Sequence, residues 1–173
     1  MDQLAEELGL TSGQLQVQAL WGGLVGSEEA RDAEAVVFTA RVPSGATVVV
    51  GAFGEDRTDA AHGRAFNLGG QCMQFVLPAG ADVRSLALAM RCDFFDQHDG
   101  SSVGSRLVVL PPAGSATVEL TGRTGQVLGR ERVTGPVVLT DVPTGLTGVT
   151  ARAADGTVLD SGPIRKREDL QPK

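Results

Sequence analysis

From Gln14 the chain alternates polar and apolar positions with a period of two: Gln14, Gln16 and Gln18 fall on one side, and Leu15, Val17, Ala19 and Trp21 on the other. That spacing predicts a half-buried strand. Ahead of it, Leu4 and Leu8 share a helical face and Gly9 is placed to stop the turn, so a short N-terminal helix is expected. A stronger signal follows in Ala35–Val42 and Ala46–Phe53, two β-prone runs joined by Pro43-Ser44-Gly45, which predict a hairpin. Its run Thr47-Val48-Val49-Val50 would aggregate if left uncovered, and so demands a central or paired place. A second hairpin with a longer loop is expected from Gln71 to Cys92, its connection beginning at Pro78-Ala79-Gly80. After Ser105 come six short candidate strands, near 106–110, 116–121, 126–133, 136–140, 147–153 and 157–161.

The phrase Pro-x-Gly recurs at Pro43-Ser44-Gly45, Pro78-Ala79-Gly80, Pro112-Ala113-Gly114 and Pro143-Thr144-Gly145, each copy entered from Val, Leu or Pro. Proline fixes one turn dihedral and glycine admits positive φ at a later position, so the phrase can end one strand and launch the next. The tail also repeats itself. Val118-Glu119-Leu120 leads through Gly125 to Val127-Leu128, and Val149-Thr150-Ala151 leads through Gly156 to Val158-Leu159, 31 positions later. Asp155-Gly156 reads as a two-residue hairpin turn, with Thr124-Gly125 a weaker version. Two similar hairpins explain the repeat better than a solenoid, since no further copy follows. The fold class expected is all-β: an antiparallel β-sandwich with an immunoglobulin-like C-terminal part and a short N-terminal helix. Its divisions are a helix or linker at 1–12, an N-terminal β region at 13–105, a sandwich at 106–164 and a charged tail at 165–173, with Pro111-Pro112 as a hinge. One continuous sandwich remains the alternative.

Composition sharpens this picture. With 42% hydrophobic but only 4% aromatic residues, no Tyr and one Trp, the core must rest on Val, Leu and Ala. Sugar binding on aromatic platforms is disfavoured for the same reason. A formal charge of −6 leaves no basic footprint for nucleic acid. The one basic run, Arg165-Lys166-Arg167, is followed at once by Glu168 and Asp169 and reads as a solvated tail. No stretch approaches the roughly 18 apolar residues of a membrane span. Met1-Asp2-Gln3 lacks the basic start and apolar centre of a signal peptide, although an anchor preceding this sequence would leave the same picture.

Chemistry-bearing residues are few. Cys72 and Cys92 lie on the two arms of the second expected hairpin. They form either a disulfide, closing a loop of about 20 residues and contributing roughly 3 kcal/mol, or two buried apolar thiols. Pairing the apolar faces of the arms puts the two cysteines on opposite sides, and a bulge in either arm would realign them. His62 follows the first hairpin, while the second polar loop carries Phe94, Phe95, Asp96, His98 and Asp99. If both loops emerge at one end of a sandwich, His62, His98, Asp96 and Asp99 could hold zinc, or the carboxylates alone calcium. Solvated turns are the ordinary reading of such loops. Phe94 and Phe95 make a candidate binding surface, against the alternative of one ring buried under the loop. There is no Cys-x-x-Cys, and neither Gly22-Gly23 nor Gly69-Gly70 has the spacing of a nucleotide loop.

The phrasing Leu107-Val108-Val109-Leu110, Pro-Pro-Ala-Gly, Ala116-Thr117-Val118-Glu119-Leu120, a glycine turn and Val127-Leu128 resembles immunoglobulin-like extracytoplasmic domains of membrane-anchored proteins and lipoproteins in high-GC Gram-positive bacteria. The resemblance covers about residues 105 to 163, and no functional residue carries over. Trp21 does not lie between the two cysteines, so the antibody-type pattern is missing. The resemblance implies a non-catalytic module outside the cytoplasmic membrane, acting in binding, sensing or assembly with a protein partner or as a homo-oligomer. Two alternatives stand beside it: a metal-dependent hydrolase or transferase using the His62 and His98 loops, and a structural subunit of a surface or virion assembly.

Overall fold

The computed structural model describes residues 5–6, 9–24, 33–59, 63–95 and 102–165, with backbone alone at 24, 33–35, 52–59, 63–74, 93–95, 102–104 and 165. The chain divides into two units, Met1–Ala81 and Asp82–Lys173, each with its own sheet.

The first unit is a meander of β1 (Gln16–Leu24), β2 (Ala33–Arg41), β3 (Thr47–Asp59) and β4 (Gly63–Leu77), lying side by side in chain order. The β2–β3 hairpin forms as expected, with Arg41 opposite Thr47. In its turn the Val42 N–H donates to the Ala46 carbonyl and the Gly45 N–H to the Val42 carbonyl. Gly45, at φ 83°, takes the left-handed place of a glycine bulge. The valine run lies centrally: Val48, Val49 and Val50 are buried between β2 and β4. Ala5 and Glu6 are helical, and the turn closes as a Schellman motif. Leu10 N–H donates to the Ala5 carbonyl at 2.8 Å, Gly9 N–H to the Glu6 carbonyl at 3.0 Å, and Gly9 has φ 67°. A 3-10 turn follows at Ser12–Gln14. Ala5, Leu10 and Leu15 pack on Ala40, Val48 and Val50, so this N-terminal segment covers one face of the sheet.

The strand expected from Gln14 exists, but its apolar face is not buried. Val17 is 48% exposed, and only Leu15, just outside β1, is buried. The register shifts between Ala19 and Trp21. An end strand with a bulge cannot keep one face aligned on a core, which is why simple alternation misreads it.

The second unit contains β5 (Leu88–Phe95), β6 (Ser102–Leu110), β7 (Thr117–Gly122), β8 (Val127–Arg132), β9 (Val138–Asp141), β10 (Leu146–Arg152) and β11 (Val158–Arg165). All six strands expected after Ser105 are present, in the hydrogen-bonded order β8-β7-β10-β11-β5-β6-β9. Among the described residues every pairing in this unit is antiparallel except β11 with β5, where Ile164 lies beside Ala89. The order folds into two facing layers, β8-β7-β10-β11 and β5-β6-β9, the arrangement of a β-sandwich. Between them, Val118, Leu120, Val149 and Ala151 meet Ala87, Ala89, Leu107, Val109 and Val138. Where β11 crosses toward β5 the backbones come close. A Cβ on Gly162 would lie 2.5 Å from the Ala87 carbonyl oxygen. Asp160 accepts the Ala87 N–H at 2.7 Å, satisfying that donor just ahead of the parallel ladder.

Four expectations change. The hairpin from Gln71 to Cys92 does not form: β4 pairs with β3, whereas β5 pairs with β6 and β11. The units therefore divide at Ala81/Asp82 rather than near 105, because β6 needs β5 as its partner. Pro111 and Pro112 are buried inside the second unit and form no hinge between domains. The Asp155-Gly156 turn has positive φ only at glycine, with the Ala153 N–H bonded to Thr157 and the Gly156 N–H to Ala153. It is a glycine-bulge loop like that at Gly45, not a two-residue turn, since that would require positive φ at Asp155 as well.

Candidate functional site

Of the residues singled out in the sequence, His62, Asp96, His98 and Asp99 lie outside the described residues, so the metal reading falls there too. Phe94 and Phe95 sit on β5 and Cys72 on β4, where only the backbone is described. Cys92, on β5, is 1% exposed. Among the described residues no group of three or more His, Cys, Asp or Glu converges, and no helix is long and apolar enough to cross a membrane.

The best-organised polar site in the described residues is one that alternation alone would have passed over. Val118 and Leu120 enter the core, which turns Glu119 to the outer face of β7. Its partner across β8 is Arg130, and Thr117, two residues before it, is paired with Arg152 on β10. Both guanidinium groups reach the same carboxylate. Arg130 Nε donates to Oε1 at 3.0 Å and Arg152 Nε donates to Oε2 at 2.7 Å. The arginine stems cover the acid, leaving its side chain 7% exposed, while those of Arg152 and Arg130 remain 35% and 67% exposed. Glu119 is thus a buried charge with both oxygens satisfied. The Arg152 hydrogen bond is the largest influence on it, and with Arg130 it outweighs burial, holding the carboxyl below its ordinary 4.5. Arg152 Nη1 also donates to the Gly156 carbonyl at 2.9 Å, which ties the acid to the next turn.

These groups line an open cleft of about 590 Å³ with Thr117, Glu131 and Arg132. Glu131 accepts from Thr140 Oγ1 on β9 at 2.7 Å, linking the outer strands of the two layers. Arg132 is exposed at the end of β8. Chemically, the cleft presents guanidinium groups fixed around a carboxylate that stays ionised. Guanidinium groups so placed suit an anion, and a carboxyl held ionised is not poised to donate a proton at neutral pH. The sequence carried one trace of it: Glu119, Arg130, Arg132 and Arg152 all occupy outward positions of their strands. What was missing was the adjacency of β7 and β10, which closes the pair with Arg152.

The 31-residue repeat acquires a structural meaning here. The hairpins β7–β8 and β10–β11 carry the same register shift and pair through β7 and β10. Glu119 faces Thr150, its own counterpart, with Val118 opposite Ala151 and Leu120 opposite Val149. The backbone pairing of this layer is therefore two-fold symmetric, but its chemistry is not. Where one half has Arg130, Arg132 and Arg152, the counterparts are Ser161, Pro163 and Thr121.

Comparison with family models, curated proteins and solved structures finds no match to the chain.

Proposed function

We propose that the protein is a non-catalytic, extracytoplasmic β module, resembling the immunoglobulin-like domains of bacterial membrane-anchored proteins, that acts in binding, sensing or assembly. The observation that carries this reading is Glu119. Its carboxylate is buried, ionised and doubly bound by arginine, the reverse of the raised pKa a general acid needs. Two guanidinium groups bound to one ionised carboxylate hold and orient one another, which supports a binding role. Assembly draws support from β1, an end strand of nine residues without a charged side chain, which leaves a neutral edge for a protein partner or a second copy. An oxidising home is supported by Cys92, which is buried and is not a free thiol; the pairing proposed is Cys72–Cys92.

Intact mass, native and denaturing, before and after chelation and reduction, tests this on protein made in an oxidising compartment. The expected result is a metal-free mass that gains two hydrogens only on reduction. Bound zinc or calcium whose removal lowers stability would overturn it in favour of a metal-dependent hydrolase or transferase using the His62 and His98 loops.

A further inference from the structure

We propose that the cleft formed by β7, β8 and β10 binds one carboxylate of a partner's peptide segment through Arg130, Arg132 and Arg152, with Glu119 as the positioning residue. This inference rests on the reading of the protein as a binding module and names the chemistry of one of its surfaces.

Charge gives the first argument. The chain as a whole is acidic at −6, yet three arginines and two glutamates line the cleft, leaving one net positive charge there. One excess positive charge matches one carboxylate. A phosphate, with nearly two negative charges, would be left undercompensated, and a nucleic acid would meet repulsion from the rest of the chain.

Geometry gives the second. Glu119 engages the Nε of both Arg130 and Arg152, which fixes the planes of the two guanidinium groups while their stems cover the acid. A guanidinium fork held in place loses less freedom on binding a planar carboxylate, so the triad is preorganised for that shape. Holding Glu119 accounts for two of the arginines, while the third, Arg132, stands exposed at the end of the strand and lines the same cleft.

Symmetry gives the third. The backbone pairing repeats across β7 and β10, so the fold offers an equivalent place at Thr121, Ser161 and Pro163. No arginine stands there. The cation cluster is therefore not required by the hairpin geometry, and occurs at only one of the two equivalent places.

The test is titration of the full chain at constant ionic strength with acetyl-Ala-Glu-Ala-amide, reading the arginine Nε–Hε resonances by NMR. The glutamine analogue, sodium acetate and inorganic phosphate serve as the other arms. Saturable shifts at Arg130 and Arg152 with the glutamate peptide alone are expected. Arg132→Gln should weaken that binding at least about fivefold with an unchanged thermal midpoint, while Ser161→Ala on the opposite half leaves it intact. No saturable shift, equal binding of the glutamine peptide, or tighter binding of phosphate would overturn the proposal. Acetate binding as tightly as the peptide would equally overturn the peptide source. A chain that fails here but passes the mass test above keeps its reading as a module and loses only this cleft.

Discussion

The hairpins β7–β8 and β10–β11 share a register shift and a glycine-bulge turn, yet the place around Glu119 holds an ion triad, completed by Arg152 from β10, while the equivalent place around Thr150 holds hydroxyls. Gly125 and Gly156 sit at φ 81° and 86°, and Val118 and Leu120 have Val149 and Ala151 as their counterparts in the core. The outward positions diverge, because only the inward ones are constrained by packing. Glu119 faces Thr150 across the junction, with Arg130 beyond the first and Ser161 beyond the second. Backbone geometry is thus reproduced by turn glycines and small apolar residues, and what each half recognises is left free to differ. The counterpart of Glu131 is Gly162, and the difference there has a steric cause. Glu131 lies on an outer strand, whereas Gly162 sits where β11 runs against the Ala87 carbonyl.

The largest expected effect comes from that last pair. Gly162→Ala forces a Cβ onto backbone oxygen and should cost about 2–3 kcal/mol in chemical denaturation, while Glu131→Ala, at the equivalent place, should cost well under half as much. Next is Glu119→Ala, which strips two arginines of their common acceptor. The arginines remain open to water, so the loss should be about 2 kcal/mol rather than the larger figure for a fully buried pair. Its counterpart Thr150→Val should stay within about 0.5 kcal/mol. Gly125→Ala and Gly156→Ala should each cost about 1–2 kcal/mol through left-handed strain, and nearly equal values would confirm that the two turns are the same device.

The smallest effect is one of pH. Because the folded-state pKa of Glu119 lies below its ordinary 4.5, the stability it contributes is complete above that value and is lost as pH falls through the depressed one. Asp155, lowered chiefly by the Thr157 backbone N–H, acts in the same direction. Glu119→Gln should flatten the acid limb of the stability profile, and Thr150→Val should leave it unchanged. An acid limb identical in the two variants would show that the triad does not set it.

Much of the second unit was legible because its strands are short and its turns explicit. Yet the repeated Pro-x-Gly phrase hid two uses. At Pro43 the proline lies second in the turn and glycine closes a hairpin. At Pro78, Pro112 and Pro143 the proline carbonyl accepts from the third residue on, with glycine at positive φ between them. These three turns lead to a new sheet or layer instead of reversing onto the same one. The phrase reads alike in both settings, since local dihedrals do not state which strand comes next. For the same reason the arms around Cys72 and Cys92 looked like a hairpin.

By itself the sequence determined the period of its strands, the positions of its turns and the faces their residues take, all of which are local properties of neighbouring dihedrals and side chains. Tertiary structure decided the pairings: β5 with β11 instead of β4, β7 beside β10, and Glu119 within reach of Arg152, 33 residues away. A strand's hydrogen-bonding edge is chemically the same along its length. Its partner is therefore selected by what the completed layers can bury, which no single segment contains.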